Sequence, residues 1–316
     1  MSFEVFVDHR QNAPVITLKD LHNQTTAEIY AFGGILNAFS ITNQGKNQNL
    51  VAGFNSVVDA QENITNGFKS AKLSPFVCRM GAGKYQWDDE SFKIEKWFLG
   101  NHAIHGIIYD ATYQIQSTRA DDKSASVELY YSYPGNEKGY PFPYLIQILW
   151  KLETGNKLSV TTTITNASAI AIPVSDGWHP YFTLGDSVDD YTLQIDTKQQ
   201  VEFDSELIPT GVLINDERFT NGLLMKGVFL DNCFLLDKNF IHPRCTLSNK
   251  NLQLTIVPSI NYPYMQFYTP DDREKIAIEN LSSAPDAFNN KMGLQILEPQ
   301  ETINFSTSYI ATVLYL

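Results

Sequence analysis

Apolar and polar residues alternate along much of this chain, most clearly in its middle. Across Lys157–Asn166, Leu158, Val160 and Ile164 share one face while Ser159, Thr161, Thr163 and Thr165 share the other, the period-two pattern of a strand that buries one side. Residues 144–152 form a similar run, and Thr154-Gly155-Asn156 between the two is a sequence suited to closing an antiparallel hairpin. Runs at 34–42, 111–117, 126–133, 252–257 and 303–314 predict further strands. Helical periodicity is weak, with residues 56–62 and a turn near Asp286 the best short candidates. No linker, charge block or internal repeat divides the chain. The pattern predicts an all-β protein, one large antiparallel β-sandwich covering residues 1–316, whose ligand sites come from strand faces and connecting loops.

Composition narrows the picture. Hydrophobic residues make up 43% and charged residues 18% of the 316, a globular balance, and no apolar run reaches the roughly 18 residues of a membrane-spanning helix. The N-terminal MSFEVFVDHR places Glu4 and Asp8 where a secretory signal would be basic and then apolar, so a cytoplasmic location is expected. Cys78, Cys233 and Cys245 are odd in number and lack metal-ligand spacing, which suits reduced thiols packed as small hydrophobes. A net charge of -12 without a Lys/Arg cluster disfavours nucleic acid and anionic membranes as partners. A neutral small molecule is the simpler ligand.

Several polar residues interrupt apolar stretches. In Gly177-Trp178-His179-Pro180-Tyr181-Phe182, Pro180 biases His179 toward extended backbone, and alternation then puts Trp178 and Phe182 on one side, His179 and Tyr181 on the other. An imidazole facing a concave surface could give and take protons near neutral pH; the segment also fits a histidine merely hydrogen-bonded beside an aromatic cluster. In Lys275-Ile276-Ala277-Ile278-Glu279-Asn280, Glu279 and the small Ala277 share the face opposite the isoleucines. That carboxylate could act as a base or lie solvated at a strand end. Arg79, in the apolar strand-like run Ser74 to Met80, and His105 could hydrogen-bond hydroxyl groups. His102 and His105 are three apart, which on a strand sends them to opposite faces, so no metal site is expected there. Asp231, inside an apolar run, must be partnered, face a ligand or sit in a turn.

Taken in order, these elements resemble the aldose 1-epimerase (galactose mutarotase) family. The resemblance also rests on Gly33-Gly34-Ile35-Leu36, Asn49-Leu50-Val51-Ala52-Gly53-Phe54, Ile208-Pro209-Thr210-Gly211, Pro285-Asp286-Ala287 and Leu297-Glu298-Pro299-Gln300-Glu301, so it spans nearly the whole chain. It implies a galactose mutarotase-like β-supersandwich with a sugar pocket on its concave side and neither metal nor organic cofactor. By position, His179 corresponds to the family's acid and Glu279 to its base, while Arg79, His105 and Asp231 correspond to substrate-binding residues. A monomer or weak homodimer is expected. Ile107 after His105-Gly106, Met80-Gly81-Ala82-Gly83 after Arg79, and Asn280-Leu281 after Glu279 depart from frequent family patterns and leave the sugar open, while Trp178-His179-Pro180-Tyr181-Phe182 resembles a divergent bacterial branch of the family. Two competing readings remain: a hexose-6-phosphate epimerase, for which Lys72, Lys84 and Lys96 are candidate phosphate ligands, and a non-catalytic carbohydrate-binding protein. Glycoside hydrolysis would require Asp231 and Glu279 to flank one bond. For anomer exchange, Glu279 is expected to be ionised at neutral pH, and acidic neighbours such as Asp231 to favour protonated His179.

Overall fold

A computed structural model of the chain describes residues 2–314. Three large antiparallel sheets dominate it. The first is a meander of five strands, Phe3–Asp8, Val15–Asp20, Thr25–Tyr30, Leu36–Asn43 and Lys46–Asn49. The second has nine strands, in the order Gln114–Ala120, Ser124–Tyr133, Tyr144–Glu153, Lys157–Asn166, Thr302–Val313, Leu252–Pro258, Cys245–Ser248, Thr192–Ile195 and Leu223–Leu224. The third runs Pro209–Asn215, Thr197–Phe203, Asp231–Leu236, Tyr264–Tyr268, Ile276–Leu281, Gly177–His179 and Ala71–Leu73, with Tyr181–Phe182 also pairing to Ile276–Leu281. One buried apolar cluster draws side chains from all three sheets, from Phe3 through Trp150 and Trp178 to Tyr309.

The period-two reading holds in this architecture. Along Lys157–Asn166 burial alternates residue by residue, and Thr154, Gly155 and Asn156 form the turn of a hairpin in which Glu153 faces Lys157. The helix expected at 56–62 is Val57–Asn63, with the Ser56 hydroxyl accepting the Asp59 N–H, a capping bond that satisfies one free donor of the first turn. Near Asp286 the turn becomes the short helix Ala287–Asn290. Two expectations shift. The strand placed at 111–117 starts only at Gln114, because the preceding backbone pairs with the bend at Ala31–Gly33 through Tyr113 N–H to Ala31 O and Gly33 N–H to Ala111 O. The stretch read as a strand from Ser74 to Met80 is strand only at Arg79–Met80. Its carbonyls at Ser74, Pro75 and Cys78 accept from Ile107, Ser175 and His105 instead of from a sheet neighbour. No helix among the described residues is long and apolar enough to cross a membrane.

Behind the third sheet lies a buried polar cluster. Lys72 and Asp176 are both fully buried, with Lys72 Nζ 2.5 Å from Asp176 Oδ1. The ammonium also donates to Gly177 O and stacks over the Trp178 ring at 4.4 Å, and Tyr262 donates its hydroxyl to Asp176. Burial outweighs the aspartate and lowers the Lys72 pKa to about 8. Removing one partner strands the other charge in a medium that solvates it poorly. Lys72→Met is therefore expected to lose about 3–5 kcal/mol of stability in chemical denaturation, and Lys72→Met with Asp176→Asn to recover part of that loss.

Candidate active site

Cross-strand register builds the floor of a pocket on the face of the third sheet opposite the Trp178 side. In an antiparallel sheet, directly paired residues point to the same face. One row pairs Asp231 with Tyr268, Tyr268 with Ala277 and Ala277 with Tyr181. The next pairs Cys233 with Gln266 and Gln266 with Glu279. Trp178 pairs with Asn280, and the following step of that register brings His179 beside Glu279, Nε2 to Oε1 at 3.2 Å. The alternation read from the sequence holds here: Trp178 packs on Trp150 and Phe182 on Tyr309, leaving His179 and Tyr181 to the pocket.

The wall comes from two short strands, Arg79–Met80 and His102–Ile104, paired through Ile104 and Arg79. The His105 N–H donates to Cys78 O at 2.9 Å, and both residues sit in left-handed backbone, φ 63° and 47°. Gly106 follows at φ 78°, where a Cβ would lie 2.3 Å from Ser74 O, so only glycine lets the His105 turn press against this segment. His102 and His105 face different ways, but not through strand alternation, since His105 lies past the end of His102–Ile104 in left-handed backbone. His102 accepts the Ala82 N–H and lies 3.4 Å from Glu206, whereas the His105 ring packs on His179 and Phe68.

Floor and wall enclose about 380 Å³, lined by Arg79, His105, His179, Asp231 and Glu279 together with aromatic and apolar side chains that include Phe68, Trp97, Tyr181 and Tyr268. All five residues singled out in the sequence thus meet in one cavity. Asp231 accepts from Gln266 Nε2 at 2.7 Å and stands 3.8 Å from the Arg79 guanidinium, a separation that leaves both groups hydrogen-bonding capacity toward the cavity. Gln266 and Cys78 were not anticipated. Gln266 was the only polar side chain in the aromatic run Tyr264–Tyr268, a usable signal, whereas Cys78 read as an ordinary core thiol.

Residues 14–310 match the family described as aldose 1-epimerase. The chain belongs to the aldose 1-epimerase family. It is similar to the uncharacterized protein YihR of Escherichia coli, 27% identical over 241 residues that cover 72% of this chain and 73% of that one. To the aldose 1-epimerase of Streptococcus thermophilus it is 25% identical over 303 residues, 84% of each chain. Among solved structures, a galactose mutarotase-like protein from Clostridium acetobutylicum superposes with a TM-score of 0.85 at 19% identity, covering 99% of this chain and 98% of that one. Galactose 1-epimerase from Lactobacillus acidophilus gives 0.83 at 19% identity over 99% of both chains. The fold is that of the galactose mutarotase-like proteins.

In this aldose 1-epimerase homologue, burial decides the protonation of the central pair. Glu279 is 2% exposed and His179 4%. Loss of solvation raises the Glu279 carboxyl well above its ordinary 4.5, with Asp231 adding to the rise, and lowers His179 from 6.5 to about 4. The expectation of a free carboxylate beside a histidine kept cationic by Asp231 is therefore corrected: a dry cavity penalises both charges. Burial thus pushes both groups toward their neutral forms, with Nε2 and Oε1 3.2 Å apart. A raised folded-state pKa means that the stability from keeping Glu279 protonated is complete below 4.5 and is lost as pH rises toward the folded value. Glu279→Gln cannot ionise. Its melting temperature is expected to exceed that of the unsubstituted protein, by a margin that widens from about pH 5 to about pH 8; equal margins at both ends would contradict the burial argument.

Proposed function

We propose that this family member is an aldose 1-epimerase that interconverts the α and β anomers of a free hexose, with Glu279 as base and His179 as acid. The observation that carries this reading is the 3.2 Å approach of His179 Nε2 to Glu279 Oε1 inside the cavity lined by Arg79, His105 and Asp231. Both oxygens that exchange protons in anomer interconversion, the hydroxyl on carbon 1 and the ring oxygen, are bonded to the same carbon. Their proton partners must stand close together. An inverting glycosidase, by contrast, separates its two carboxyl groups by about 6.5–9.5 Å to admit a water.

A pair that holds one proton has the right stoichiometry. When the hydroxyls of a bound sugar draw the pair's proton from Glu279 to His179, the charge-separated form that burial disfavours in the empty pocket, Glu279 takes the proton of the carbon 1 hydroxyl while His179 protonates the ring oxygen. The bond from carbon 1 to the ring oxygen breaks, an aldehyde forms, and the pair's proton now sits on Glu279. After rotation about the carbon 1 to carbon 2 bond, the ring recloses on the other face and the transfers reverse. Neither residue is consumed, and the reaction runs both ways. Arg79, His105, Asp231 and Gln266 supply donors and acceptors for ring hydroxyls, and the aromatic side chains offer apolar surface to the sugar's C–H faces.

The phosphorylated substrate is less well supported. Lys72 is buried against Asp176 and Lys96 is bound to Asp110, while Lys84 lines a different hollow. Arg79 is the one Lys or Arg among the described residues that line the cavity, and Asp231 stands beside it.

Polarimetry on freshly dissolved α-glucose and α-galactose tests the reading. The protein is expected to accelerate mutarotation above the spontaneous rate, and Glu279→Gln and His179→Gln each to lose about 10²- to 10⁴-fold of kcat. Arg79→Ala and Asp231→Asn are expected to act mainly on KM. Because a second proton on the pair leaves no base, kcat should fall as pH approaches about 4, where His179 protonates. Absence of acceleration with either sugar would sink the free-hexose assignment.

A further inference from the structure

Where the pocket wall meets its floor, three potential metal ligands converge. Cys78, His105 and Glu279 each offer one ligand atom, and these atoms all lie within 4.8 Å of one another. The three residues are buried at 5%, 7% and 2% exposure. Glu279 divides its oxygens, Oε1 toward His179 and Oε2 toward Cys78 Sγ at 3.7 Å. His105 Nδ1 is buried without a hydrogen-bond partner, an unusual state for a polar atom in a folded interior.

We propose that Cys78, His105 and Glu279 bind one zinc ion, and that the bound ion shuts the pocket to sugar. Thiolate, imidazole and carboxylate are the three donor types zinc accepts, and three protein ligands with a water in the fourth position is a familiar zinc arrangement. Tetrahedral zinc holds its donors roughly 3.3–3.8 Å apart, given bonds of about 2.0–2.3 Å. The cluster therefore needs only small side-chain adjustments. A sulfur donor excludes magnesium and calcium, which select oxygen. Charge favours the ion as well: a thiolate and a carboxylate offset its two positive charges, so the occupied corner is close to neutral in a cavity that tolerates charge poorly.

On binding, the Cys78 S–H bond breaks, the sulfur–zinc bond forms and the proton leaves to the buffer, with no change of oxidation state. Any proton on Glu279 leaves in the same way. Zinc thus occupies the group proposed as the base and fills space beside it. The binding half of the proposal is independent of the catalytic reading. The inhibition half rests on it.

Cobalt(II), added to the metal-free full-length protein, is the first probe. One equivalent is expected to bind and to produce the thiolate-to-cobalt charge-transfer band of a sulfur-ligated site, and zinc to displace it. Cys78→Ser should lose the band and weaken zinc at least about tenfold in competition with a chromophoric chelator. In Cys233→Ser with Cys245→Ser, Cys78 is the sole thiol, so persistence of the band there assigns the ligand even if Cys78→Ser misfolds. In polarimetry, zinc should suppress the acceleration, chelator should restore it, and sugar should protect against it. A missing band, or one that survives in folded Cys78→Ser, overturns the site. A cobalt band without loss of activity overturns the closure of the pocket. A protein with no mutarotase activity refutes the catalytic reading while the band still decides the metal site.

Discussion

Backbone pairing along both edges of Ile276–Leu281 sets where the polar groups of the pocket stand. One edge is joined to Tyr264–Tyr268, the other to Gly177–His179 and Tyr181–Phe182. A slip of one residue would send Glu279 into the apolar core and bring Ile278 to the pocket, because side chains alternate faces at every step. The register therefore does more than hold strands together. It aligns Gln266, Glu279 and His179 in one row and Asp231, Tyr268, Ala277 and Tyr181 in the row beside it. Pro180 fits between them because it donates no hydrogen bond of its own, while its carbonyl still accepts from Ile278.

The same burial that gives the site its shape gives it its chemistry. A strand covered on both faces leaves Glu279 and His179 almost without water, so each is pushed toward its neutral form. Water would otherwise stabilise two separate charges; here the two groups face each other at 3.2 Å in a site that disfavours both. A carboxyl and an imidazole in this state are poised for proton exchange with a bound hydroxyl, at a cost in stability that a purely structural strand would avoid. Lys72 and Asp176, behind Gly177, show the other way of burying charge, as a hydrogen-bonded pair with no route to solvent.

The wall of the pocket obeys a different constraint. Arg79 and His105 stand on segments with few sheet partners, held by bonds such as His105 N–H to Cys78 O and Ile107 N–H to Ser74 O. Gly106 permits that contact, and left-handed backbone at Cys78 and His105 themselves puts both side chains in the pocket with Glu279. Floor and wall are thus specified by different physics, the former by regular pairing and the latter by local turns.

The sequence by itself determined the class of fold, because a period of two repeated along many strands leaves few other ways to bury one face of each. It also determined which way His179, Tyr181 and Glu279 point, since alternation against Trp178, Phe182, Ile276 and Ile278 is a local property. Resemblance to a family drew Arg79, His105 and Asp231 into the same picture. What only the tertiary structure decided was proximity and solvation. Residues 179 and 279 are neighbours because their strands pair, a fact no local pattern contains. Gln266 belongs to the pocket for the same reason, and Cys78 because the turn bonded to His105 carries it there. Lys72, which looked available to a phosphate, is sealed against Asp176. The proton balance of the His179–Glu279 pair was invisible for a related cause: it depends on how much water the assembled sheets exclude, and that is a property of the packed molecule rather than of any segment.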